Sequence, residues 1–247
     1  MTPEIKILPG NAALNLAAAQ EFQTSAEEAI AHRGRFSVAL SGGNTPRSVY
    51  SLLAQEYKIS LPWDKIHIFF GDERCVPPDH PDSNYRMANE SLLSQVSIPP
   101  ENVHRIRAEL DPEAAAKDYE NQLRAFFQLA HNSWPRFDLI MLGLGEDGHT
   151  ASLFSGSSAL GERSRLVVPT WVEKKKTFRV TLTYPVLNHA AEIEFLVSGS
   201  GKAEIVRKVI GQSGGSEFPS QRVQPANGRL LWLLDQVAAS LLPQNPV

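Results

Sequence analysis

The chain has 247 residues, 42% hydrophobic and 21% charged, an ordinary globular composition long enough for one large α/β domain over 1–247. A formal charge of −3 and a pI near 6.2 give nucleic acid and anionic membranes no compositional support as partners, so any anion site must be local. A single cysteine, Cys75, rules out an intrachain disulfide framework. With no leader-like pattern in Met1 to Gly10 and no uncharged apolar run of about 18 residues, a soluble, cytoplasmic protein is expected.

Strand-like and helix-like stretches alternate from the start. Ile5 to Leu8 predicts a short strand, the alanine-rich Ala12 to Ala31 a helix, and Phe36 to Leu40 a second strand. The next helix is marked by Thr45 as its cap, Pro46 in its first turn, and Val49, Leu52 and Leu53 on one face. Trp63 to Phe70 predicts a strand, Ser83 to Leu93 a helix, and Val103 to Ile106 a short extended piece. Asp111 caps a helix opened by Pro112, with Tyr119, Leu123, Phe126 and Phe127 on its buried side. Phe137 to Leu142 is the most apolar strand; Leu166 to Val172, Thr177 to Tyr184, Ile193 to Val197 and Arg229 to Leu234 follow as strands, with a helix over Ala203 to Ile210. The four tryptophans, Trp63, Trp134, Trp171 and Trp232, lie in or beside strands and are assigned to the core. The polar patch Gly211 to Ser220 is expected to be a mobile loop. The pattern predicts an α/β fold with a mostly parallel, Rossmann-like sheet flanked by helices, and some antiparallel strands in the C-terminal part.

Four of the strands run into glycine-containing polar segments: SGGNTPR from Ser41, GDER from Gly71, GLGEDGH from Gly143 and SGSGK from Ser198. In an open parallel sheet the residues beyond the carboxyl ends of the strands share one rim, so these segments can line one pocket. Ser41, Gly42, Gly43, Asn44 and Thr45 precede or begin a helix, where free amides and the helix dipole attract an anion; a plain βα turn would look the same locally. The segment lacks the G-x-x-x-x-G-K-[ST] pattern, so a single phosphate suits it better than a triphosphate. GLGEDG satisfies G-x-G-x-x-G, but Glu146 and Asp147 would put negative charge where a pyrophosphate should lie, and no acid about 20 positions on is placed to hold a ribose. His149, preceded by Asp147, has instead the makings of a carboxylate-oriented general base. Asp72, Glu73 and Arg74 allow either a structural ion pair or an anion contact, and Lys202 could add a point charge or simply be solvated. Ser213 in GQSGG follows a helix rather than a strand, against a serine hydrolase. The histidines and the cysteine show no H-E-x-x-H or C-x-x-C spacing, so no metal is indicated.

Taken together, SGGNTPRSVY, FFGDERCVPPDHPDSNYRMANESLL and DLIMLGLGEDGHTASLF, extended by TFRVTLTYPVLNHA and FLVSGSGKAEIV, closely resemble the 6-phosphogluconolactonases. The resemblance spans nearly the whole chain. The related glucosamine-6-phosphate isomerases share a D-G-H segment, but there a glutamate is expected five residues after the histidine, where this chain has Phe154, and a tyrosine after the acids, where it has Arg74. One departure from the lactonase pattern is Ser155, where a proline usually follows Leu-Phe.

The resemblance implies hydrolysis of 6-phospho-D-glucono-1,5-lactone to 6-phospho-D-gluconate in the oxidative pentose phosphate pathway, with no cofactor and no metal. The expected catalytic residues are His149, which activates water, Asp147, which orients it, and Arg74, which faces developing negative charge. Ser41, Gly42, Gly43, Asn44, Thr45, Asp72, Arg179 and Lys202 are the expected substrate-binding residues. The expected partner is a small phosphorylated sugar lactone, with no nucleic acid and no membrane, and the chain a monomer or weak homo-oligomer. A sugar-phosphate isomerase and a non-catalytic sugar-phosphate sensor remain the alternatives.

Overall fold

The computed structural model describes residues 2–211 and 217–243. The chain opens with strand β1 (Glu4–Leu8), helix α1 (Asn11–Arg33) and strand β2 (Phe36–Leu40), and helix α2 (Asn44–Glu56) follows the first glycine segment. Strand β3 (Ile66–Phe70) passes through the single residue Gly71 into the short strand β4 (Asp72–Arg74). Helices α3 (Asn84–Ser91) and α4 (Pro112–Phe126) then lead to strand β5 (Leu139–Gly143). Strands β6 (Val167–Val172) and β7 (Thr177–Leu182), the one-turn helix α5 (Tyr184–Leu187), strand β8 (Glu192–Val197), helix α6 (Ala203–Ile210) and strand β9 (Arg229–Asp235) complete the described elements.

Six strands form a sheet in the order β1-β9-β8-β5-β2-β3, with every neighbouring pair parallel. Its central strands are buried on both faces, which is why Phe36 to Leu40 and Leu139 to Leu142 read as unbroken apolar runs. A second, antiparallel sheet has the order β4-β7-β6. The expected parallel sheet is therefore present. The antiparallel part, however, recruits Asp72–Arg74 from the N-terminal half, because Gly71 carries the chain straight from the edge of one sheet into the other. Helices α1 and α2 pack on each other and on the parallel strands, while α4 covers β6 and β7. Among the described residues no helix is long and apolar enough to cross a membrane.

Several local expectations are corrected. Thr45 is not a cap: α2 begins at Asn44, with Gly43 in the N-cap position and no side chain bonded to the first-turn amides. Trp63–Lys65 is a single 3₁₀ turn, leaving Ile66–Phe70 as the strand. Tyr184 starts a short helix rather than ending a strand, since Pro185 cannot donate to a ladder and suits a first helical turn. Trp171 is 45% exposed and stacks edge-on against Phe178 on the β6–β7 hairpin, whereas Trp63 and Trp232 are core residues. Phe126 and Phe127 are only half-buried. Asp111 caps α4 by accepting from the Glu113 and Ala114 amides, and Ser83 caps α3 by accepting from the Arg86 amide. Residues 212–216 of the expected mobile loop, Ser213 included, lie outside the described residues.

Candidate functional site

The parallel order of the six strands puts the ends of β2, β3, β5 and β8, and so all four glycine segments, at one rim. Adjacent segments are close there. A methyl group on Gly143 would lie 3.7 Å from Ser41 Oγ, and one on Gly201 would lie 3.7 Å from Glu146 Oε1. The segments after β2, β5 and β8 thus form a continuous wall, with Lys202, half-buried, beside Gly201.

At the first segment, Gly43 has φ 111° and turns the chain into α2 without offering a side chain to the helix. The first-turn amides of this 13-residue helix therefore have no side-chain cap, and no acidic residue stands in that turn. Ser41 is buried, Gly42 and Thr45 are half-buried, and Gly43 and Asn44 are exposed. Gly42 is pressed against Asn84, where a Cβ would come 1.9 Å from the Asn84 Oδ1.

Strand β5 delivers the imidazole. The Gly145 amide donates to the His149 carbonyl (2.8 Å), the Gly148 amide to the Gly145 carbonyl (2.9 Å), and Thr150 Oγ1 to the Gly143 carbonyl (2.8 Å), closing a tight loop. Gly148 takes φ 77° in that loop, and Phe218 packs where its side chain would stand. Within it, Asp147 Oδ1 accepts from the His149 ring at Nδ1. Partial burial pushes the Asp147 carboxyl up, but the hydrogen bond and charge of His149 outweigh burial and the net shift is downward. With Nδ1–H given to a carboxylate, Nε2 is left as the basic nitrogen. One face of the ring stacks on Phe154, with centroids 4.1 Å apart and planes at 25°.

The small antiparallel sheet supplies the cations. Its register places Arg74 opposite Arg179 and Asp72 opposite Thr181, so all four side chains share one face. Arg179 Nη1 lies 3.8 Å from Asp72 Oδ2, and its guanidinium carbon is 5.4 Å from the centre of the Phe154 ring. Burial pulls the Arg179 guanidinium below its ordinary value, against the pull of the Asp72 carboxylate. Arg74 Nη1 donates to the Asp82 carbonyl at 2.5 Å, while the Nε atoms of Arg74 and Arg179 have no partner among the described residues.

The two acids of GDER divide their labour. Glu73 accepts from Arg74 N (2.8 Å), Ser83 Oγ (3.0 Å), Asn84 N (2.7 Å) and Tyr85 N (2.8 Å), so it organises the start of α3. Burial pushes its carboxyl up, partly offset by those four donors. Asp72 accepts from Ser152 Oγ (2.5 Å) and Asn84 Nδ2 (3.2 Å). Ser152 also accepts from Arg179 Nη1 (3.4 Å), and its amide donates to Thr181 Oγ1 (3.2 Å). This wholly buried serine, three residues after His149, is what pins the imidazole loop to the arginine-bearing sheet. Sequence reasoning missed Ser152 and Asn84, and met Phe154 only as a departure from the isomerase pattern. A small hydroxyl or amide has no periodic signal, and its importance comes from partners 80 and 12 positions away in the chain.

Comparison with known proteins converges on one family. The family model described as glucosamine-6-phosphate isomerases/6-phosphogluconolactonase matches residues 9–232. A curated protein of Synechocystis named 6-phosphogluconolactonase is 44% identical over 98% of this chain and 99% of its own length. The Homo sapiens protein of the same name is 41% identical over 85% of this chain and 82% of its own. Among solved structures, the 6-phosphogluconolactonase from Trypanosoma cruzi superposes with a TM-score of 0.86 at 30% identity, covering 97% of each chain. A fold of six parallel strands with this rim, matched end to end by such relatives, makes the chain a member of the glucosamine-6-phosphate isomerase/6-phosphogluconolactonase family.

Proposed function

We propose that this chain hydrolyses 6-phospho-D-glucono-1,5-lactone to 6-phospho-D-gluconate, as a cytoplasmic step of the oxidative pentose phosphate pathway. The observation that carries the reading is the Asp147–His149 pair at the exit of β5, on the same rim as the uncapped start of α2 and within one packed cluster with Arg179. The names of the full-length relatives support it.

In this reading the first-turn amides of α2 with Ser41, Gly42, Gly43, Asn44 and Thr45, together with Lys202, hold the 6-phosphate and fix the ring. His149 Nε2 takes a proton from water as the water oxygen bonds to C1, and the carbonyl electrons move onto its oxygen. Arg74 and Arg179 face that developing charge. Collapse of the tetrahedral adduct breaks the bond from C1 to the ring oxygen, which receives the proton from His149 and becomes the 5-hydroxyl. Asp147 keeps the imidazole in the required tautomer and stabilises it while protonated. Asp72, tied to Ser152 and Asn84, holds Arg179 in place.

Against an isomerase, the position five residues beyond His149 is Phe154, whose ring stacks on the imidazole and can neither donate nor accept a proton. The test is acid release from freshly made lactone, corrected for spontaneous hydrolysis. His149→Ala is expected to lose about 100- to 10,000-fold in kcat. Full activity in that variant refutes the assignment, and ammonia release from glucosamine 6-phosphate by the wild-type chain would favour the isomerase.

A further inference from the structure

Two buried tyrosines stand in the same relation to two different loops of this site. Tyr50, on the second turn of α2, accepts at its hydroxyl from the Ser41 amide (2.9 Å) and donates to the Ser41 carbonyl (2.8 Å). Tyr119, on α4, accepts from the Phe70 amide (2.8 Å) and donates to the Phe70 carbonyl (3.0 Å). Both rings are wholly buried. In each case one hydroxyl satisfies both polar groups of a single residue, where the backbone would otherwise have none.

The positions follow from the sheet. Strand β2 pairs with β3 as far as Leu40 and Phe70, and with β5 only through Val38 and Ala39, so Ser41 is the first residue beyond the ladder. Strand β3 is the edge of the parallel sheet, and alternate residues turn their backbone groups outward there. The Ile68 carbonyl on that edge is met by the His104 amide, and Phe70, two residues on, is met by Tyr119 instead. Each hydroxyl thus fixes the residue that launches a site loop: Ser41 precedes Gly42 and Gly43, and Phe70 precedes Gly71 and the strand bearing Asp72 and Arg74. Burial pushes both phenols up, keeping each a neutral hydroxyl able to donate and accept at once.

We propose that Tyr50 and Tyr119 are positioning residues with separable effects: Tyr50 sets the phosphate-holding segment, and Tyr119 sets the register of Arg74 against the reacting carbonyl. This rests on the function proposed above. Because the two loops meet different parts of the substrate, removal of each hydroxyl is expected to appear in a different kinetic constant.

The test uses the isosteric variants Tyr50→Phe and Tyr119→Phe with the lactone, and 6-phosphogluconate as product inhibitor. Tyr50→Phe is expected to raise KM and the inhibition constant about tenfold with kcat within about twofold of wild type. Tyr119→Phe is expected to lower kcat about tenfold with KM within about twofold. Wild-type constants in both folded variants, or the same change in both, overturn the proposal even if the melting temperature falls. Amide hydrogen exchange on the wild-type chain needs no variant to fold. Ser41 and Phe70 are expected to be protected like Ile140 in the central strand, and exchange as fast as the exposed Gly43 overturns the latches. Failure of the wild-type chain to hydrolyse the lactone would sink the proposed function and leave this exchange result standing, so the two failures are distinguishable.

Discussion

Gly145 stands closer to the imidazole than any substitution could tolerate. A Cβ there would lie 2.0 Å from His149 Nδ1 and 2.7 Å from Asp147 Oδ1, and neither group can retreat without breaking the pair. Gly145→Ala is expected to cut kcat by about 100-fold, the usual consequence of displacing a reacting group by about an ångström, while the chain remains folded. Gly161→Ala is the control: a Cβ there meets nothing within 4 Å, so activity and stability should stay within about 0.5 kcal/mol of wild type. A different residue carries a hidden cost. Glu194 on β8 is completely buried, neither carboxylate oxygen has a partner among the described residues, and burial reinforced by Glu192 and Glu21 raises its carboxyl well above the ordinary value. Its folded form keeps the proton after the unfolded chain has lost it, so stability falls as pH rises above the ordinary carboxyl value near 4.5. Glu194→Gln should match the wild-type melting temperature at acid pH and exceed it by about 2–4 °C at neutral pH. An advantage that does not grow with pH would show that ionisation is not the cause.

Among the elements, the outer edge of β3 carries an acid-sensitive pair of histidines. His67 Nδ1 and His104 Nε2 lie 3.3 Å apart, and the His104 ring stacks on Phe69 at 4.3 Å with planes at 12°. Burial, with His67 adding to it, pushes His104 down to about 4; burial and Arg35 push His67 down as well. For a base with a depressed folded value, the stabilisation is complete above the unfolded value of 6.5 and is lost as pH falls towards 4. The loss over that window is expected to be about 2 kcal/mol, discounted because the ring is partly open to solvent. His104→Phe retains the stacked ring and should flatten the urea midpoint between pH 6.5 and 4. The histidines of this edge are adjacent only because the extended piece expected at Val103 to Ile106 bridges Ile68 at Val103. Sequence predicts that segment as extended; nothing in its spacing says which strand it borders. The small antiparallel sheet makes the same point. GDER reads as a loop because three residues are too few for a strand signature, and its extended form is imposed by β7.

Over the whole molecule, the rim can be tested by linkage. A ligand that binds only the folded chain stabilises it in proportion to the logarithm of its concentration, by about 2.7 kcal/mol at 100 times its dissociation constant. Titration with 6-phosphogluconate should raise the melting temperature along that curve, and Lys202→Ala should shift the curve to higher concentration without lowering the ligand-free melting temperature. An unchanged curve would remove Lys202 from the anion site.

By itself the sequence determined the class of the fold, the carboxyl-end segments and the pairing of Asp147 with His149. These rest on short-range physics: apolar runs make strands buried on both faces, glycines permit tight exits, and two residues of separation bring a carboxylate to an imidazole. Only the tertiary structure decided that Glu73 is consumed by the amides of α3 while Asp72 accepts from Ser152 and Asn84, and that Ser152 ties the imidazole loop to Arg179. It also decided that buried hydroxyls from α2 and α4 hold the two strand ends. Those roles depend on which distant donor reaches a buried acceptor, a property of packing that no local pattern encodes.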